Sequence, residues 1–269
     1  MVKSWPLHVY LLEVKKLASY RIDFWMRLVV AALVRIFLAY YLCDALFSGT
    51  VGEKIGGFTR EGMILYYILA AFVGNMVFAG IDRFGSEIYD GTLTRYLLYP
   101  VSFYTYQVAT AFAYTSLCIV QLVLGVGVTM AFLDLSSAGI VITPLSLILG
   151  IGVTLLTSYN YLLLQAHLEL MAFWVEAVWG LMVALYFLVN FFGGGLLPLS
   201  LFPEWVMKIL NCTPFPYIIG LPVEIIMGNA SQDKIISGVV VSTIWALILT
   251  FTARLVWRRG LKQYSGVGV

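Results

Sequence analysis

Five stretches of this chain, residues 62–81, 103–133, 138–166, 177–203 and 235–253, contain no Asp, Glu, Lys or Arg. Crossing about 30 Å of hydrocarbon as an α-helix takes roughly 20 apolar residues, so each stretch is long enough to span a bilayer. A sixth, residues 28–47, has the length but carries Arg35 and Asp44. With 61% hydrophobic and 11% charged residues, the chain has more apolar surface than one soluble core hides; ordinary globular chains are about 45–50% apolar and about 25% charged. The stretches are continuous and lack the alternation of barrel strands, which run about ten residues each. The expected fold is all-α integral membrane, one transmembrane domain over residues 1–269 with six helices at 24–47, 62–84, 103–132, 140–166, 172–193 and 235–257.

Six spans put both termini on one side, and the side rich in Lys and Arg faces the cytoplasm. Five basic residues lie ahead of the apolar run at 28–47, two flank or lie in the polar stretch at 85–100, and four lie in the tail, eleven against four on the opposite side. Both termini and the 85–100 loop are therefore expected in the cytoplasm. The first apolar run begins late, is too long for a signal peptide and lacks a small-residue cleavage site, so it is expected to stay. Ahead of it, residues 5–21 place Leu7, Tyr10, Leu11, Val14, Leu17 and Ala18 on one helical face and His8, Lys15, Lys16 and Ser19 on the other. That pattern suits a helix lying in the membrane interface, or alternatively an extension of the first span.

The chemical inventory is thin. Two histidines stand apart from any metal-ligand pattern, and no Gly-x-Ser-x-Gly, His-Glu-x-x-His or Gly-x-x-x-x-Gly-Lys run occurs. Cys43, Cys118 and Cys212 have no paired spacing and read as packing residues. Asn211-Cys212-Thr213 and Asn229-Ala230-Ser231 fit the glycosylation acceptor pattern, which has no meaning in a bacterial host. Gly193-Gly194-Gly195 follows an apolar run and precedes two prolines, which marks a helix break.

Beyond that break, residues 194–229 are apolar yet hold Pro198, Pro203, Pro214, Pro216 and Pro222. Proline removes a donor and clashes with the preceding turn, so one continuous helix is excluded. Non-helical backbone at membrane depth survives only where protein or a wet cavity satisfies it. Short helices that enter the outer leaflet and return, capping the bundle, are expected, with Pro198, Pro203, Trp205, Pro214, Phe215 and Pro222 as their markers. An interfacial loop is the alternative.

Gly91-Thr92-Leu93, Tyr96-Leu97-Leu98 and Pro100 in the polar loop, the run from Leu197 through Pro198, Phe202 and Pro203 to Trp205, Pro214-Phe215-Pro216, and the ending that starts Trp257-Arg258-Arg259-Gly260 resemble one family. They resemble the ABC-2 type transporter permeases, specifically a short six-span bacterial branch, over essentially the whole chain. The resemblance implies an exporter in the bacterial inner membrane. Two permeases, identical or homologous, form the path, and separate ABC ATPase subunits bring ATP and Mg from the cytoplasm. The chain itself is then no enzyme and holds no cofactor or metal; its partners are those ATPases, the second permease and membrane lipid, with no nucleic acid.

The resemblance also makes the 85–100 loop a coupling helix that docks on the ATPase. By residue type alone, Asp90-Gly91 is a turn signal. Glu87, Asp90 and Arg95 beside Tyr89, Leu93, Tyr96 and Leu98 combine aromatic and aliphatic anchors with a polar rim, as docking patches do. A connecting loop with solvated charges is the alternative. Ionisable groups in spans are costly unless paired or wet. Arg35 either meets an acidic substrate or holds helices together, and Glu169 and Glu176, seven apart on one expected helical face, mark an entrance or a contact with the coupling region. A stand-alone secondary transporter or membrane-embedded enzyme is the competing class; it lacks support from internal repeats or from converging His, Asp or Glu.

Overall fold

A computed structural model gives the structure, which describes residues 5–19, 21–48, 54–78, 87–88, 90–98, 102–132, 140–175 and 177–264. Among them every regular element is helical, and the one β pairing is an isolated antiparallel bridge between Ile55 and Phe58. In chain order these are α1 (Trp5–Ser19), α2 (Arg21–Phe47), α3 (Arg60–Val77), α4 (Leu93–Leu98), α5 (Phe103–Phe132), α6 (Pro144–Leu170), α7 (Trp179–Phe192), α8 (Glu204–Leu210), α9 (Phe215–Ile218), α10 (Gly220–Ile226) and α11 (Gln232–Gly260). Short 3-10 turns lie at Met171–Phe173 and Leu199–Leu201.

Three described helices, Phe103–Met130, Pro144–Phe173 and Gln232–Gly260, are long and apolar enough to cross a membrane. The pair Glu204–Leu210 and Phe215–Ile226, bent by 81°, brings the number to four if it counts as one span. The chain is thus a multi-pass membrane protein. Of the remainder, α2 has 27 residues but carries Arg21, Asp23, Arg27, Arg35 and Asp44, while α3 has 18 residues, of which Arg60 and Glu61 are the first two, and α7 has 14, roughly 27 and 21 Å at 1.5 Å per residue.

Local chemistry sets the helix starts. Thr143 and Ser146 exchange side-chain and backbone hydrogen bonds at the head of α6, with Pro144 in the first turn, while Thr59 caps α3 and Ser231 caps α11. These groups satisfy amides that the helix leaves without partners. The core gathers round α3, where Met63, Leu65, Tyr66, Leu69, Val73 and Met76 are all fully buried. A helix apolar on every side belongs in the middle of a bundle, and α3 packs against α2, α5, α6 and α10.

The helix α1 lies along α5, and its Tyr10 hydroxyl donates to Ser116 Oγ at 3.1 Å. Leu17 is buried there, while Leu7, Leu11 and Leu12 remain exposed. Further on, the helix of Glu169 ends at Leu170, and a 3-10 turn and an irregular stretch precede Trp179. The helix of Glu169 thus ends one residue beyond it, and Glu176 lies outside the described residues.

The proline-broken segment folds into the bundle. Ile218, Ile219, Leu221, Val223 and Ile226 are fully buried, so α9 and α10 are part of the core. Several carbonyls freed by the breaks meet side-chain donors. Tyr66 donates to Gly194 O at 2.8 Å and Tyr67 to Leu196 O at 3.1 Å. Trp245 Nε1 reaches Cys212 O at 2.9 Å, and Thr157 Oγ1 reaches Ile218 O at 3.2 Å. Trp245 and Thr157 sit midway along α11 and α6, so the turn at 211–218 lies at half the height of the bundle. Ser146, at the far end of α6, bonds Ile226 O at 3.2 Å, which shows α9 and α10 climbing back to that end.

Candidate functional site

At the opposite end of the bundle the polar loop is built round Gly91. Its φ of 71° lies in the left-handed region that glycine enters without Cβ strain, and the turn closes through Gly91 N donating to Ile88 O at 3.3 Å. From there α4 runs for six residues. So short a helix is marginal by itself, and side chains from elsewhere hold it. The hydroxyl of Tyr264 donates to Gly91 O at 2.8 Å and accepts from the Thr94 amide at 3.1 Å. With its proton so used, it also accepts from Thr94 Oγ1 at 2.9 Å.

Glu87 supplies the second clasp. Its Oε1 accepts from the Tyr96 hydroxyl at 3.0 Å and its Oε2 from Gln107 Nε2 at 3.1 Å. Burial, then the hydrogen bond to Glu87 and the charge of that carboxylate, push the Tyr96 phenol up to about 12. Tyr96 is thus a standing donor across the physiological range.

Beneath α4 an aromatic stack ties the loop to three helix ends. Tyr96 lies 5.0 Å from Phe103 at the start of α5, Phe103 stacks on Trp257 of α11 at 5.5 Å and 17°, and Trp257 meets Phe173 after α6 at 5.9 Å. Gly260 is required by this packing, since a Cβ there would lie 2.1 Å from Phe173 Cδ2. Leu93, fully buried, completes the cluster with Ile88, Phe103 and Leu170.

The expected docking residues thus divide. Leu93 and Tyr96 point into the protein and hold the loop, so they are not outward anchors. Asp90 and Arg95 are exposed, Leu98 is 80% exposed, and the neighbouring Leu97, which residue typing passed over, is 45% exposed. Tyr89 lies outside the described residues. Tyr264 and Gln107 are the contributors that spacing could not reveal: Tyr264 stands in the tail motif, but its partner Thr94 is 170 residues away.

The remaining candidates are elsewhere. Arg35 lies within α2, and its side chain is outside the described set. Glu169 is buried, accepting from Gln165 Nε2 at 3.0 Å. At the far end, Pro198 and Pro203 flank the Leu199–Leu201 turn, Trp205 is 68% exposed, and Pro214, Phe215 and Pro222 belong to the buried hairpin or its approach. A cavity of about 380 Å³ opens there, lined among others by Glu204, Lys208 and the ion-paired Glu224 and Lys234. The triple-glycine run is packed into the bundle. The Gly193 amide, the kind of donor a phosphate needs, is spent on Val189 O at 2.8 Å, the Gly193 and Gly194 carbonyls are taken by the Gly220 amide and Tyr66, and a Cβ on Gly194 would meet Tyr66 Oη at 2.6 Å. Among the described residues no three His, Cys, Asp or Glu side chains converge as metal ligands.

No curated protein matches the chain. The family model described as ABC-2 family transporter protein matches residues 30–268, from within α2 to beyond Tyr264. It includes the polar loop, the buried hairpin and the aromatic stack, leaving only α1 and the first turns of α2 outside. Membership implies partnership with ABC ATPase subunits. The chain is a transport membrane protein of the ABC-2 transporter family.

Proposed function

We propose that this chain is the permease subunit of an ABC exporter in a bacterial inner membrane. It crosses six times with both termini in the cytoplasm, dimerises with an identical or homologous permease to form the path, and moves an amphipathic lipid-like, drug-like or glycoconjugate substrate outward. ATP and Mg act in the separate ATPase. One observation carries this: residues 90–98 are clasped by Tyr264 and Glu87 and present Asp90, Arg95, Leu97 and Leu98 outward. A rigid back with an apolar and charged front is what a docking element needs.

The coupling route follows from the packing. A push on α4 passes through Tyr96 to Phe103 and through Tyr264 to Phe173 and Trp257, and so to α5, α6 and α11 together. Rigid helices with packed contacts carry such displacements. At the far end, the re-entrant hairpin of α8 to α10 closes the path against water until those helices tilt.

Co-purification from native membranes in mild detergent tests the assignment. A stoichiometric soluble ATPase retained with the tagged chain is the expected result. A chain that purifies alone and transports in liposomes without ATP overturns it in favour of a secondary transporter.

A further inference from the structure

Between the start of α5, the end of α6 and the last turns of α11 lies a cavity of about 230 Å³ that neither the polar loop nor the buried hairpin uses. Its floor is apolar, from Ala166, Leu170 and Ala253, and Arg254 and Arg258 stand at its rim. Four residues apart, these guanidiniums lie on one face of α11. Among the described residues neither pairs with a carboxylate; the ion pairs there are Lys16 with Glu13, Arg60 with Asp44 and Lys234 with Glu224.

Ser102 and Thr105 line the same cavity. Ser102 heads the 30-residue α5, its Oγ accepting from the Thr105 amide at 3.4 Å, so the positive end of a long helix dipole faces the same space. Tyr104 lines the wall with its ring while its hydroxyl is engaged by Tyr159 at 2.9 Å. The cavity therefore offers two cations, hydroxyls and a helix N-terminus above an apolar floor, and an anion with an attached hydrocarbon matches that order.

The face of α11 extends the match. Leu247, Phe251 and Leu255 are exposed at 69%, 64% and 39%, and at 100° per residue all three lie within about 60° of Arg258, the first two also within about 60° of Arg254. A molecule with its phosphate at the arginines would lay its chains along these three side chains. Trp257, partly buried in the cavity wall, is the residue type that marks the level of lipid headgroups. Basic pockets between helices at that level take anionic lipid heads.

We propose that this cavity is a binding site for the phosphate headgroup of an anionic phospholipid, held by Arg254 and Arg258 with Ser102 and Thr105. Because Trp257 also stacks on Phe103, an occupied site braces the polar loop from the membrane side.

The test uses the purified full chain in neutral detergent, with binding followed by native mass spectrometry. The probes are dioctanoyl phosphatidylglycerol, dioctanoyl phosphatidylcholine and glycerol 3-phosphate. The phosphatidylglycerol is expected to bind in preference to the other two, and Arg254→Gln with Arg258→Gln to weaken it about 30-fold. The matched variant Arg259→Gln with Lys262→Gln removes the same charge outside the cavity and is expected to change binding less than about threefold. If the first variant does not fold, Arg254→Gln alone, with about fivefold weakening, carries the test. Parental affinity in the cavity variant or equal loss in the matched variant overturns the proposal. Competition by glycerol 3-phosphate at the concentration of the lipid overturns it in favour of a soluble phosphate site.

Discussion

At the Gly91 end the chain turns in the open, and a six-residue helix is held by side chains from behind; at the far end residues 204–226 turn inside the bundle, with almost every side chain of α9 and α10 buried. Both use short helices broken by turns, yet their backbone carbonyls face different solvents. Around Gly91 water can replace a missing donor. Around Gly194 and Ile218 it cannot reach, so Tyr66 and Thr157 supply the hydrogen bonds, while Tyr67 and Trp245 serve the neighbouring, more exposed carbonyls of Leu196 and Cys212. The buried turn is committed to its own bundle, whereas the exposed turn keeps a surface for a partner. An unsatisfied buried polar group costs its full desolvation, and this separates the two in energy.

The largest expected effect comes from crowding the buried turn. Gly194 has φ of 88°, and a Cβ there would meet Tyr66 Oη at 2.6 Å and Gly220 Cα at 3.1 Å. Gly194→Val is expected to cost about 3 kcal/mol or more, from backbone strain and overpacking together, read as a fall in the thermal midpoint in detergent. Unchanged stability would remove the buried turn from the core.

A paired deletion sharpens the contrast. Tyr66→Phe strands the Gly194 carbonyl and is expected to cost about 2 kcal/mol of global stability. Tyr264→Phe removes a clasp that water partly replaces, lowers the local opening free energy of residues 90–98 by about 1 kcal/mol, and speeds their amide exchange without moving the global midpoint. Equal global losses in both would erase the distinction between the two ends.

The smallest effect concerns pH. Tyr96 is raised by burial and by Glu87 to about 12, so its folded form favours the protonated phenol. The stability it adds is complete below the ordinary phenol value near 10 and is lost as pH climbs through about 12. Protection of residues 90–98, corrected for intrinsic exchange rates, is therefore expected to stay flat from pH 6 to 9. A loss of protection within that range would contradict the Tyr96–Glu87 clasp.

Much of this was legible in the chain. Charge-free runs at 103–133 and 235–253 fall on α5 and α11, since lipid tolerates no unpaired charge and helices satisfy their own backbone. Asp90-Gly91 announced the turn, and Gly193 to Gly195 with the prolines announced the break. Burial of a particular side chain was not legible: Leu93 and Leu98 are the same residue type, five apart, and only the fold turns one in and the other out. Nor was the depth of the proline segment, because the donors that satisfy it, Tyr66, Thr157 and Trp245, come from three different helices. The stop between Glu169 and Glu176 has no proline or glycine to mark it.

The most direct test of the docking role is Leu97→Ser with Leu98→Ser, assayed by co-purification of the ATPase. Both side chains are exposed, and such surface changes alter stability by about 0.5 kcal/mol or less. The expected result is a chain with parental thermal midpoint and parental exchange in residues 90–98 that no longer retains the ATPase. A variant of parental stability that still carries the ATPase at full stoichiometry would contradict the account.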